Sequence, residues 1–156
     1  MRVFGDRVAK GDARNAGLND AERVLVWTWR RLAAGRSGCP VIAWEFSRWC
    51  GDDAAEVLAT FCTFLAALAY VGHRQLQVGY PGYPGLTGDE RQCLLLIAAA
   101  QANDAACFEA HLRWLARAEL RPALAIAARA LGTALKLHDL CLANDAAGLS
   151  RHVAPG

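Results

Sequence analysis

Cys107 and His111 stand four positions apart, and His138 and Cys141 three apart, all in stretches that read as helix. Zinc takes thiolate and imidazole ligands, and an i, i+4 pair puts two of them on one helix face. Cys107 and His111 are therefore the candidate metal ligands. The set of four does not close. If the last two helices form a hairpin turning near Leu120, Cys107 falls opposite Thr133 and His111 opposite Arg129. His138 then lies about 7.5 Å from the level of Cys107, and Cys141 about 18 Å from that of His111, at the helical rise. A tetrahedral protein site does not span such distances, so neither a metal nor any other cofactor is expected.

A cysteine nucleophile needs a lowered pKa and a base held beside it. Cys39, Cys50, Asp52 and His73 are the residues to consider, but nothing in their spacing makes them meet. The sequence has no G-x-x-x-x-G-K phosphate loop, no G-x-S-x-G elbow and no E-x-x-H pair. An enzyme of unassigned type is thus the third reading of this chain. The six cysteines include no C-x-x-C pair and fall mostly in apolar helical stretches, where a free thiol behaves as a small hydrophobe. Buried, reduced thiols are expected.

Binding residues are better placed. Trp27, Trp29, Trp44 and Trp49, four of the five tryptophans, fall in the first two helical stretches. Trp27 and Trp29 sit roughly 200° apart around a helix, so they do not share a face. Val24 and Leu32 mark a core stripe that Trp27 extends at i+3, which turns Trp29 and Arg30 outward. Tryptophan and arginine are the residues most enriched at binding hot spots. Trp29 and Arg30 are accordingly candidate interaction residues. Tyr80 and Tyr83 join them from the tandem Tyr80-Pro81-Gly82-Tyr83-Pro84-Gly85, a turn-rich loop whose tyrosines offer contact area at small entropic cost. The alternative is a plain connector whose tyrosines cover the core.

The elements that position these residues are helices. Asn19 with Glu22, Asp53 with Glu56, and Thr87 with Glu90 have capping-box spacing, and Pro40 and Pro122 suit first turns. Helices are predicted at 19–35, 40–50, 54–71, 88–102, 104–118 and 122–142. The last carries Leu124, Ala128, Leu131, Leu135, His138 and Leu142 at steps of four and three, a seam for close packing. The third, apolar almost all round, reads as the central helix. Residues 73–78 read as extended but too short to make a sheet. The fold expected is all-α, a single bundle or orthogonal array of about six helices over residues 18–143. Residues 1–17 form a flexible arm and 144–156 a disordered tail.

The segment Arg74–Val78, followed by Pro81-Gly82-Tyr83-Pro84-Gly85-Leu86-Thr87-Gly88-Asp89-Glu90, resembles a loosely defined group of small helical proteins from proteobacteria. The resemblance covers residues 73–140 and implies no activity. Members often carry loop cysteines where this chain has Tyr83 and Gly85, so a metal site built on those cysteines is not implied here.

The net charge is +2, with fifteen arginines and two lysines interleaved among fifteen acidic residues. That pattern lacks the basic face on which nucleic-acid binding rests. The stretch from Val57 to Gly72 is uncharged but 16 residues long, short of the roughly 20 that span a bilayer, so no membrane span is expected. The opening residues lack an apolar leader core and include Asp6 and Asp12, which points to the cytoplasm. The leading functional reading is a non-catalytic protein that binds another protein or forms a homo-oligomer. The alternative is a bundle enclosing a small apolar ligand or cofactor.

Overall fold

Local caps set most helix starts. Asn19 precedes α1 (Asp20–Ala33) and accepts from Glu22 N at 3.0 Å, while Glu22 Oε2 accepts from Asn19 N at 2.8 Å. This reciprocal box satisfies two orphan donors. Pro40 opens α2 (Pro40–Cys50), and Gly51, at φ 55°, closes it. A 3-10 turn, Gly51–Asp53, leads straight into α3 (Ala54–Val71). Thr87 and Glu90 box the start of α4 (Gly88–Ala102). Asn103 ends that helix in the left-handed region, and Asp104 caps α5 (Ala105–Leu115). Another 3-10 turn, Ala118–Leu120, feeds α6 (Arg121–Lys136).

The computed structural model describes residues 2–4, 17–71 and 74–143, with backbone only for residues 2–4. Among the described residues the chain is all-α, with six helices, or five when α2 and α3 are counted as one run.

The core lies where α3 meets α2 and α6, and where α4 meets α5 and α6. Phe61, Phe64, Leu68, Leu96, Ile97, Leu124, Leu131 and Leu135 are its most enclosed large side chains. Contrary to the sequence expectation, the central helix is α4, in which every residue from Cys93 to Ala99 is buried. The anticipated hairpin also falls elsewhere: α5 folds back mainly on α4, and touches α6 where the Arg129 guanidinium sits 4.7 Å over the Phe108 ring. Asp53 lies in the 3-10 turn, its carboxylate 3.4 Å from His138 Nε2.

The last helix stops six residues before the expected boundary. Residues 137–139 form a turn with Asp139 at φ 57°, and the chain then runs extended. Leu140 and Leu142 are buried on either side of exposed Cys141, the period of two that belongs to extended chain. Gln101 holds this segment, donating to Leu140 O at 2.9 Å and accepting from Leu142 N at 2.8 Å. Its far end docks on the start of α1: Asn19 Nδ2 donates to Cys141 O at 2.9 Å, and Ala143 N donates to Glu22 Oε1 at 2.9 Å.

The extended stretch after α3 finds a partner that the sequence reading did not give it. Gln77–Gly79 (β2) pairs in parallel with Arg2–Phe4 (β1), Val3 opposite Val78. Three residues of the expected flexible arm are therefore strand. Residues 5–16 and the predicted tail, 144–156, lie outside the described residues.

The run Pro40–Val71 is long and apolar enough, by length and composition, to cross a membrane. It is not one rod. The Phe46 and Phe61 rings stack with centroids 6.4 Å apart, whereas fifteen residues of straight helix would separate them by about 22 Å. Gly51 turns α3 back onto α2.

Candidate interaction site

Arg30 and Glu90 meet at the centre of a buried polar cluster, Arg30 on α1 and Glu90 in the first turn of α4. Arg30 Nε reaches Glu90 Oε1 and Nη2 reaches Oε2, each at 2.7 Å. Gly79 N and Thr87 N donate to the same carboxylate at 3.0 and 2.9 Å. Four donors thus match the four acceptor positions of a carboxylate. Arg30 commits four of its five N–H donors: besides the two on Glu90, Nη1 donates to Tyr83 O at 2.8 Å and Nη2 also donates to Gly85 O, and the Tyr83 ring lies 5.4 Å from its guanidinium carbon. Tyr80 meets Tyr83 edge-on at 5.6 Å. Removing one member of such a buried pair costs about 3–5 kcal/mol, because the other charge is left unpaired.

A second carboxylate extends the clamp. Asp89, also buried, receives Arg74 through two bonds of 2.6 and 2.7 Å and the Gln77 N–H at 2.7 Å. Burial alone would raise its pKa. Arg74, the Gln77 N–H and the Trp114 side chain outweigh burial and hold it below the usual aspartate value. Thr87 Oγ1 donates to Gln77 O at 2.7 Å. The first turn of α4 thus satisfies one edge of β2 while β1 pairs with the other.

Three of the four expected interaction residues, Arg30, Tyr80 and Tyr83, are brought together, Arg30 buried and the two tyrosines half-buried over it. The expectation that Trp29 and Arg30 face outward is corrected: they are 3% and 4% exposed. Hydrophobic spacing misassigned the face because α1 is covered on two sides. Trp29 lines α3, while Glu22, Val26 and Arg30 form a second buried stripe containing two charges. Trp27 is the rim residue, its ring 4.4 Å below the Arg31 guanidinium. Two tryptophans are exposed: Trp114 on α5, 56% exposed and next to Arg113, and Trp44 on α2, 57% exposed, with Arg48 5.0 Å over its ring and Val41, 44% exposed, one turn earlier. The i, i+3, i+7 spacing of Val41, Trp44 and Arg48 was a readable signal for the α2 patch.

Cys107 and His111 do not converge with further ligands. Cys107 is exposed, its thiol pKa raised by Asp104, and His111 Nδ1 lies 2.7 Å from Gln92 Oε1. Among the described residues, no group of three or more His, Cys, Asp or Glu side chains is placed to hold a metal. The expectation of buried thiols holds for Cys50 and Cys93 only; Cys39 is partly buried, and Cys62, Cys107 and Cys141 are exposed.

The apolar space between α1, α2 and Leu135–Leu140 measures about 10 Å³, room for one water and not for an organic ligand. On the other side of α1, an open groove of about 380 Å³ runs along α3, lined by Trp29, Leu32, Ala33, Cys62, Leu65 and Ala66. Comparison with protein-family models, curated proteins and solved structures finds no match to this chain.

Proposed function

We propose that this chain is a non-catalytic binding protein that engages another protein through the outward face of α2, with Trp44 as anchor. The supporting observation is the exposed Trp44 indole, held under Arg48 and flanked by Val41. A tryptophan already ordered by a stacked guanidinium loses little freedom on binding, and it carries a large apolar area to a partner. The alternative of an enclosed apolar ligand has less support, since the space beneath α1 and α2 admits no more than a water.

The test compares Trp44→Ala with wild type as immobilised full-length chains, capturing partners from the source cells. The substitution should keep the helical circular-dichroism signal, because Trp44 lies outside the core. It should weaken the captured partner about 30-fold, the equivalent of the ~2 kcal/mol hot-spot threshold. A partner set that binds both chains equally overturns the proposal, as does unfolding of the variant.

A further inference from the structure

We infer that α3 pairs with α3 of a second copy of this chain, antiparallel about a two-fold axis at the helix midpoint. The inference goes beyond the Trp44 reading and does not rest on it. The exposed face of α3 is Ala55, Glu56, Ala59, Cys62, Thr63, Ala66, Ala69 and Tyr70. Glu56 is its only charge, and it lies at the N-terminal end. The side chains between Ala59 and Ala69 are small and neutral, which lets a second helix approach to an axial separation of about 8 Å. A helix lying there also borders the open groove between α1 and α3, whose rim includes Leu32 and Ala33.

Charge at the two ends selects the occupant and the direction. Asp52, Asp53 and Glu56 are exposed at the N-terminal end. At the other end, Arg117 N donates to Val71 O at 3.3 Å, placing exposed Arg117 beside the helix terminus. An antiparallel copy sets an acidic end against a basic end twice. A parallel copy sets like against like. The neutral centre creates no self-repulsion. An 18-residue helix is about 27 Å long, and a strip of that length and about 10 Å wide falls below the roughly 800 Å² per partner of a standard interface. The pairing is therefore reversible and dissociates on dilution.

Cys62 reports the geometry because it sits at the midpoint of Ala54–Val71. With Cα atoms on cylinders of radius about 2.3 Å and axes about 8–10 Å apart, facing Cα atoms come within roughly 3.4–5.4 Å, and the upper part of that range is one a disulfide spans. The experiment combines sedimentation velocity of the full-length chain over a concentration series with copper–phenanthroline oxidation at pH 8.5 and non-reducing electrophoresis. The expected result is a concentration-dependent dimer and a covalent dimer lost in Cys62→Ser but kept in Cys107→Ser and Cys141→Ser. Ala66→Glu and Ala59→Lys, both at exposed positions, should give folded monomers. Three results overturn the inference: a monomer at every concentration, a dimer that survives both charge insertions, or crosslinking independent of Cys62. Flotation with phosphatidylcholine vesicles that Ala66→Glu abolishes would also overturn it, assigning the face to lipid. If the wild type is monomeric while Trp44→Ala still loses a partner, the self-pairing fails and the binding proposal stands.

Discussion

Gly79 leaves no space for a side chain against Arg30: a Cβ there would stand 2.9 Å from Nε and 3.0 Å from the guanidinium carbon. Arginine side chains usually yield to such a contact. This one is held by Glu90, Tyr83 and Gly85, so relief would break charged hydrogen bonds. Gly79→Ala should destabilise the fold by about 1–3 kcal/mol, the range for overpacking. Urea denaturation measures the loss, and in an Arg30→Ala background the same change should cost far less.

Trp29→Ala tests the corrected face of α1. The side chain is enclosed against α3, and deleting a buried tryptophan costs about 3–5 kcal/mol through lost burial and an unfilled cavity. A midpoint shift in urea with the slope unchanged is the expected readout. A loss under about 0.5 kcal/mol, typical of surface positions, would place Trp29 outside the core after all.

Asp89 gives the acid limb of stability a definite sign. Its pKa is lowered in the folded chain, so its contribution is present above the unfolded aspartate value of about 3.9 and is lost as pH falls through the lower folded value. Arg74 is half in solvent, which screens the pair and reduces the contribution to about 1–2 kcal/mol. Asp89→Asn should lower stability at pH 7 by that amount and flatten its decline below pH ~4. Equal acid limbs for the two proteins would refute the assignment.

Cys39 should be alkylated by iodoacetamide near neutral pH ahead of the more exposed Cys62 and Cys107. The Val41 N–H at the start of α2 lowers its pKa most; burial opposes this, and the Ile42 N–H and Arg31 guanidinium add to the lowering. Burial raises Cys62, and Asp104 raises Cys107. The reactive species is the thiolate, so the order follows these directions. Mass spectrometry of timed digests measures it, and Arg31→Gln should narrow the gap.

Helix starts were legible because a cap is a local event. Asn19 with Glu22 and Thr87 with Glu90 lie within one turn of each other, and the donors they satisfy belong to that same turn. The same spacing disclosed only half of what Glu90 does. Its second partner, Arg30, lies 60 positions away, and no spacing rule links them. The inward face of α1 was misread for a related reason, since its second buried stripe carries Glu22 and Arg30, and a search for apolar periodicity passes over charged residues. The end of α6 was missed because Leu140 and Leu142 also fit a helical series when the turn at 137–139 is not foreseen. Pairing between Val3 and Val78 was likewise out of reach, as three-residue strands carry too little pattern to be recognised.

Residues 140–143 also set an order of events during synthesis. A ribosome delivers α1 first, yet Glu22, wholly enclosed in the finished protein, receives the Ala143 N–H only after 121 further residues have been made. Gln101 likewise waits for Leu140 and Leu142. On a nascent chain the start of α1 and the end of α4 therefore keep polar groups in water that the completed protein removes from it. Native closure waits for residues 140–143, the segment that locks the start of the first helix to the end of the fourth.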